Sequence, residues 1–247
     1  MPKTTPRQRH SGFTLVELAI VLIIIGLLIG GVLKGQQLVE NARITATVAQ
    51  IKSIQAAVTS FRDMYQALPG DITNPGTRLP GCTASAACNV PGDGNGAIDG
   101  SENRYVFAQF AAANLISGYS INGTGGIPAS PAGLPDLFPV RIGGGNFYSL
   151  KTINDSAICG GAMVLLGPPV LYSGLHLRLD TGITAAGCAP GLTPAQAYRI
   201  DAKLDDGAPG SGDVRAWAPA PAACGSATAY LENSSAVTCG LVVHIQN

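Results

Sequence analysis

The chain has 247 residues, with 15 Lys and Arg against 15 Asp and Glu, and a formal net charge of zero. That length suits one domain of ordinary size plus a long helix, and the balanced charge gives no electrostatic case for a nucleic-acid-binding protein. Only 12% of the residues are charged, while glycine and proline number 32 and 17, which is typical of a loop-rich exported product rather than a charged cytosolic enzyme.

The first predicted element is an apolar helix at residues 13–33, in which Glu17 is the only charged residue. About 20 apolar residues in a helix span the hydrocarbon core of a bilayer. The preceding residues contain Lys3, Arg7, Arg9 and His10 and no acid. This positive bias places the N-terminal side in the cytoplasm, so the remainder of the chain is expected to be exported.

Gly12 and Glu17 distinguish this segment from an ordinary signal sequence. A secretory signal peptide has its small-residue cleavage site after the apolar region, whereas Gly12 lies before it. A carboxylate inside a membrane is costly and usually has a partner. The alternative is a plain signal anchor, with a chance glycine and a glutamate tolerated near the interface.

The run Gly12-Phe13-Thr14-Leu15-Val16-Glu17 resembles the processing site of type IV pilins and type II secretion pseudopilins. The resemblance implies that a prepilin peptidase cuts after Gly12 and methylates Phe13. It also implies that Glu17 is the carboxylate that associates with the N-terminus of a neighbouring subunit. It is very specific from Gly12 to about Leu33, moderate along the following helix and weak beyond. Many type IV pilins have a proline where this chain has Lys34.

The resemblance also implies an α+β, pilin-like fold, in which a long N-terminal helix packs on an antiparallel sheet. Residues 1–12 would be the leader, 13–68 the helix with its transmembrane half at 13–33, and 69–247 the exported head. The protein would cross the bacterial inner membrane once, with a periplasmic head. Its expected partners are prepilin peptidase, copies of itself or other pilin-like subunits, and the inner-membrane assembly machinery. Without the leader's three cations the side chains number 12 basic and 15 acidic, a net charge of −3.

The pairing of Glu17 has a simple physical basis. A free α-amine is largely protonated at neutral pH, because its pKa lies near 8. A buried charge without a partner is strongly destabilising. An ammonium and a carboxylate from adjacent helices would therefore favour one packing register.

The helical pattern continues beyond the membrane segment as an amphipathic stripe at a spacing of three or four residues. The stripe consists of Ile51, Ile54, Val58, Phe61, Tyr65 and Leu68. Pro69-Gly70 is expected to stop the helix. One long helix from Phe13 to Leu68 is predicted, and the alternative is two separate helices broken near Gly35.

A turn-rich region follows, and within it the run DGNGAIDGSE resembles part of a calcium-binding EF-hand loop. Asp93, Asn95, Asp99 and Glu102 fall at positions 3, 5, 9 and 12 of such a loop. Pro91 stands where the first ligand should be. The pattern predicts a calcium site, or alternatively a Gly/Asn/Asp-rich turn before a helix that is capped near Ser101.

Further elements are predicted from periodicity and turn residues. Helices are expected at residues 101–116 and, after Thr193-Pro194 as N-cap and N1 residues, at 195–206. Strands are expected at 146–153, 162–166, 175–179, 214–217 and 241–245, and residues 119–145 are expected to be irregular. Leu175, Leu177 and Leu179 alternate with His176 and Arg178, which predicts a half-buried strand.

An acidic cluster follows the second helix and is a second candidate calcium site. The cluster of Asp201, Asp205, Asp206 and Asp213 surrounds the turn GAPGSG, and Asp205, Asp206 and Asp213 are the candidate ligands. The alternative is the solvated end of a helix.

All six cysteines follow the apolar segment, so they are expected in an oxidising compartment where disulfides persist. Six cysteines allow 15 pairings. Pairing of sequence neighbours predicts Cys82–Cys88, Cys159–Cys188 and Cys224–Cys239. No CxxC pair is present, which argues against zinc or thioredoxin-like chemistry.

The sequence contains no GxSxG, HExxH or P-loop motif. His176 and His244 fall on polar faces of predicted strands, where a surface or structural role is expected. The sequence therefore predicts a filament subunit and not an enzyme. The alternative is a membrane-anchored exported binding module that does not polymerise.

Overall fold

A computed structural model describes residues 14–83, 88–119, 138–153, 164–167, 173–181, 183–184 and 187–245. The chain divides into two compact units, Met1–Ala42 and Arg43–Asn247. Helix α1, Leu15–Tyr65, has 51 residues and begins in the first unit and ends in the second. It continues through Gly35, so the prediction of one long helix is confirmed and the alternative of two helices is wrong.

The described part of the first unit is the N-terminal part of α1. Its large apolar side chains, from Leu15 to Leu33, are exposed. Among the described residues, α1 is the one helix that is long and apolar enough to cross a membrane. Its most apolar 18-residue window has a mean hydropathy of 2.8 and is 0% buried within the chain.

In the second unit α1 buries one face. The buried residues recur at helical spacing and are Ile44, Thr47, Val48, Ile51, Ile54, Ala57, Val58 and Phe61. The predicted stripe residues Ile51, Ile54, Val58 and Phe61 are among them, and Tyr65 is only partly buried.

The helix ends at Tyr65, before the predicted end at Leu68. Gln66 takes a left-handed conformation, with φ of 49°, and the Arg78 guanidinium donates to the Tyr65 carbonyl. The left-handed residue is a common helix terminator, which explains why the helix stops before the proline.

Six strands of the second unit belong to one sheet: β1 (Phe138–Pro139), β2 (Phe147–Ile153), β3 (Val164–Leu165), β4 (Gly174–Asp180), β7 (Val214–Ala218) and β8 (Gly240–Ile245). The sheet is antiparallel, in the order β1-β2-β4-β8-β7-β3. β5 (Ile183–Thr184) and β6 (Gly187–Cys188) form a separate pair. The five predicted strands are present, and β1 is a short strand within the region expected to be irregular.

One face of the sheet belongs to the same core as α1. Leu150, Leu177, Val243 and Val214 lie opposite one another on successive strands, and they join the helix stripe in one buried cluster. The Tyr148 hydroxyl donates to the Thr47 carbonyl at 3.4 Å. The α+β architecture, a long helix on an antiparallel sheet, is therefore confirmed.

Along β4 the other face is also buried, so the predicted half-buried alternation of this strand is wrong. Every residue from Leu175 to Asp180 is buried. Two polar side chains of this face bind each other, with Arg178 Nη2 2.5 Å from Asp180 Oδ2. Alternation shows which residues share a face, but it does not show whether that face meets water.

The remaining helices are short. They are α2 (Pro75–Arg78), a 3-10 helix (Glu102–Arg104), α3 (Val106–Ala112), α4 (Pro194–Leu204) and α5 (Pro221–Cys224). The helix predicted at 101–116 ends early because Asn114 adopts a φ of 56°. Thr193 caps α4 as predicted, since its side chain accepts from Gln196 N and the Gln196 side chain accepts in return from Thr193 N.

Two of the three predicted disulfides are present. Cys82 pairs with Cys88, and Cys224 pairs with Cys239. Cys159 lies outside the described residues, so Cys159–Cys188 stays a prediction.

Candidate processing and assembly site

The first turn of α1 is closed by Thr14 and Glu17. The Glu17 carboxylate accepts hydrogen bonds from the Thr14 backbone N–H and hydroxyl, both at 2.9 Å. In return, Thr14 Oγ1 accepts from Glu17 N at 3.2 Å. This reciprocal pair is a capping box, which satisfies two backbone donors that the helix leaves free.

Glu17 is exposed in the isolated chain. Its carboxylate lies at the N-terminal end of the apolar helix, where Thr14 holds it. Because the carboxylate is exposed, a further partner can reach it. Gly12 and Phe13, the predicted cleavage and methylation positions, lie outside the described residues. The capping role of Thr14 was not predicted, although a threonine three residues before a glutamate is a local signal for a helix start.

A second group of polar residues surrounds the loop that was predicted to bind calcium. The loop is organised by Asp71, a buried carboxylate that was not predicted. Its oxygens accept from Gly94 N at 2.7 Å, Asn95 N at 3.1 Å and Gly96 N at 2.9 Å. The loop thus folds around a carboxylate that lies more than twenty residues earlier in the chain.

The four predicted ligands do lie together. Asn95 Nδ2 is within 3.0 Å of Asp93 Oδ2 and 3.3 Å of Asp99 Oδ2. The Glu102 carboxylate accepts from Asp93 N at 2.9 Å and from Asp99 N at 3.2 Å. The structure therefore brings Asp93, Asn95, Asp99 and Glu102 to one place.

Asp71, Asp93 and Glu102 each offer an oxygen within 4.8 Å of the other two. Calcium takes six to eight oxygen ligands at about 2.3–2.6 Å, so such oxygens can share one ion. Burial raises the pKa of Asp71, against the backbone hydrogen bonds that lower it. Burial also raises the pKa of Glu102. Asp99 is not part of this oxygen group, and Asn95 Oδ1 is taken by the Ala97 N–H. Calcium binding at this loop stays a prediction.

In the second predicted cluster, Asp201, Asp205 and Asp206 have carboxylate oxygens within 4.8 Å of one another. Asp213 Oδ1 lies 3.3 Å from His244 Nδ1. The Asp205 carboxylate accepts from Val214 N at 3.2 Å. These carboxylates tie the turn after α4 to the start of β7, and calcium binding here stays a prediction.

His176 and His244 are neighbours across β4 and β8, with ring centres 5.0 Å apart. His176 is 1% exposed, so of the surface or structural role expected for it, the surface position is wrong. The register of the sheet places both rings on the second, buried face.

A comparison with family models matches residues 7–33 to the prokaryotic N-terminal methylation motif. This motif is the signature of type IV pilins and pseudopilins and of processing by prepilin peptidase. No curated protein and no solved structure matches the chain. The processing signature is therefore established from the N-terminal segment, and its match includes Gly12, Phe13 and Glu17.

Proposed function

We propose that this chain is a pilin-like subunit of an envelope filament, either a type IV pilus or a type II secretion pseudopilus. The methylation motif at residues 7–33 carries the proposal. It is supported by the exposed apolar helix, which needs lipid or other helices to cover it. The disulfide-stapled head fits export to an oxidising compartment.

In this proposal prepilin peptidase cleaves after Gly12 and methylates Phe13, and the helix remains as the mature N-terminus. The helices of many subunits pack in the filament core as they leave the inner membrane through the assembly machinery. The Glu17 carboxylate of one subunit then binds the N-terminal ammonium of its neighbour. The Thr14 cap supports this role because it fixes the carboxylate on the first turn of the helix.

The head has a structural role in this proposal and no catalytic one. Calcium bound by Asp93, Asn95, Asp99 and Glu102, together with Asp71, would hold the loop against the head. The convergence of the Asp71, Asp93 and Glu102 carboxylate oxygens supports this metal site.

The second candidate is a membrane-anchored binding module that does not polymerise. It is favoured by a cavity of about 400 Å³ at the end of α1, lined by residues that include Arg62, Asp71 and Arg78. The two functions differ in what happens to the N-terminus.

The deciding experiment expresses the chain with its prepilin peptidase and assembly machinery and analyses sheared filaments. A filament subunit is recovered in them, trimmed at Gly12. If the chain stays in the membrane fraction when filaments form, the binding module is the correct function.

A further inference from the structure

The cavity at the end of α1 contains two arginine side chains. Arg62 belongs to the last turn of the helix. Arg78 reaches the same place from α2, where its guanidinium donates to the Tyr65 carbonyl. Both arginines are exposed, and both line the cavity. Arg62 has no hydrogen-bond or ion-pair partner among the described residues, so its planar group of N–H donors is available to a ligand.

Asp71 is the carboxylate among the described residues that line this cavity, and it is 2% exposed. Its Oδ1 accepts from Gly94 N and Asn95 N, and its Oδ2 accepts from Gly96 N. An ionised carboxylate has about four lone-pair positions, so one position on Oδ2 is left for a further donor. A hydroxyl group of a ligand supplies such a donor.

Gln66 and Thr73 add neutral polar groups to the lining. Gln66 Nε2 donates to the Asp63 carbonyl at 3.0 Å, which leaves the side-chain oxygen to accept. The Thr73 hydroxyl belongs to an exposed residue, and it can both donate and accept. Ala67 and Leu68 provide a small apolar surface. Hydrogen-bonding groups of both kinds beside an apolar surface match a ring that carries several hydroxyl groups.

The charge of the lining favours a ligand with a single negative charge. Two guanidinium cations, Arg62 and Arg78, stand against the carboxylate of Asp71. Asp93 and Glu102 are not among the described lining residues, but their oxygens lie within 4.8 Å of those of Asp71, so they oppose a ligand of higher negative charge. A phosphate monoester carries a charge of about −1.5 to −2 at pH 7. One carboxylate therefore fits the cavity better than a phosphate does.

We propose that this cavity binds an acidic sugar of the uronic acid class. The sugar carboxylate pairs with Arg62 and Arg78, since a guanidinium matches a carboxylate with two parallel hydrogen bonds. The ring hydroxyls donate to Asp71 and Gln66 and accept from Thr73. The cavity volume of about 400 Å³ lies within the range of small-molecule sites. The ligand is the same whether or not the chain polymerises, so this proposal and the proposed function can fail separately.

The test is ligand-observed saturation-transfer NMR on the full chain, in a detergent without a sugar headgroup and in buffer free of calcium. The probe is D-glucuronate, and the expected dissociation constant is about 1 mM, which suits a ligand of this size. Glucose lacks the carboxylate and lactate lacks the ring, so each should bind about 10-fold more weakly or worse.

A disaccharide of glucuronate and a neutral sugar distinguishes two sources of the same group. It should bind at least as tightly as glucuronate if the cavity takes one residue of a polysaccharide, and more weakly if the cavity takes the free acid.

Arg62→Gln should weaken glucuronate binding by about 10-fold or more, because a charge-assisted pair is lost. Arg62→Lys keeps the charge without the planar fork, so an intermediate affinity is expected. Arg43→Gln is the matched control and should bind as the parent does, because the exposed Arg43 lies about 28 Å earlier along α1.

Arg62 has no partner among the described residues to lose, so its variants should keep the fold, which circular dichroism checks. Absence of saturation transfer from glucuronate, an equal affinity for glucose or lactate, or parent-level affinity in Arg62→Gln would overturn the proposal. A chain that enters filaments but does not bind glucuronate contradicts this inference and leaves the proposed function intact.

Discussion

The Tyr230 hydroxyl donates to Asp201 Oδ2 at 2.7 Å and joins the last loop of the head to helix α4. Asp201 is 0% exposed, and its other oxygen accepts from Gly207 N at 3.1 Å. Burial raises the pKa of Asp201 to about 7, although both hydrogen bonds act in the opposite direction. The folded head therefore holds a proton at Asp201 that the unfolded chain releases near pH 4.

This proton makes the stability of the head depend on pH. Because the folded pKa is above the unfolded one, the stabilisation is fully present below about pH 4 and is lost as the pH rises through about 7. Asp201→Asn should remove this dependence and stabilise the head at pH 8 by roughly 2–4 kcal/mol relative to the parent. The measurement is urea unfolding at several pH values, followed by fluorescence of the single tryptophan, the buried Trp217.

Asp63→Asn is the control, because Asp63 is exposed on α1. It should leave the pH dependence unchanged. If Asp201→Asn retains the parent's loss of stability between pH 5 and 8, another group is responsible.

Local patterns in the sequence predicted the helices and strands well. The stripe from Ile51 to Phe61 and the alternation in β4 and β8 are set by residues a few positions apart, and such patterns depend on periodicity alone. The same reasoning failed for His176. Burial of the second face depends on how distant parts of the chain pack, and periodicity contains no information on that.

The candidate sites also divide into residues set by local spacing, which were predicted, and residues that meet only through folding, which were not. Asp93, Asn95, Asp99 and Glu102 were found because their spacing is local. Asp71 and the Tyr230–Asp201 pair were missed because their partners are distant in sequence and meet only through folding. Thr14 is a different case: the local signal was present, but Glu17 had been interpreted only through its intermolecular role.

The Cys224–Cys239 disulfide should contribute strongly to the stability of the head. The two residues are 15 apart, and a loop of that size contributes about 3 kcal/mol in the loop-entropy model. The double variant Cys224→Ser/Cys239→Ser should therefore unfold at a clearly lower temperature. Cys82→Ser/Cys88→Ser, with a separation of 6, should cost less. Non-reducing peptide mapping of the parent should link Cys224 to Cys239 and find no free thiol; free thiols at both positions would refute the pairing.

Calcium should stabilise the head through the loop that Asp71 organises. Chelation should lower the melting temperature of the parent, and Asp93→Ala should abolish that response because a ligand is lost. Asp63→Ala serves as a control for the loss of an exposed carboxylate. An unchanged chelator response in Asp93→Ala would place the ion elsewhere, first at Asp205, Asp206 and Asp213. If chelation leaves the melting temperature of the parent unchanged, the proposal that the head binds calcium is wrong.

Processing should leave a chain that starts at methylated Phe13. Mass spectrometry of protein from cells that contain prepilin peptidase should show this N-terminus, and cells without the peptidase should yield the chain with its leader. The reason is the position of Gly12 before the apolar helix, within the matched motif. An intact Met1 in the presence of the peptidase, or cleavage beyond Leu33, contradicts the proposed function.

The last prediction separates the two roles of Glu17, helix capping within the subunit and charge pairing between subunits. Glutamine at this position can still complete a capping box with Thr14, but it cannot neutralise a neighbouring ammonium. Glu17→Gln should therefore insert into the membrane and be cleaved after Gly12, yet fail to enter filaments. Glu17→Leu should behave in the same way, since an acid at depth costs a few kcal/mol on insertion scales and its loss does not impair anchoring. Glu17→Asp keeps the charge with a shorter reach and should assemble partially.

Thr14→Val is the complementary control, because it removes the hydroxyl contact and keeps the carboxylate, so it should assemble better than Glu17→Gln. The assay is recovery of each variant with sheared filaments. If Glu17→Gln is recovered at the parent level while Thr14→Val is not, the cap and not the charge controls assembly, and the proposed pairing with the N-terminal ammonium is wrong.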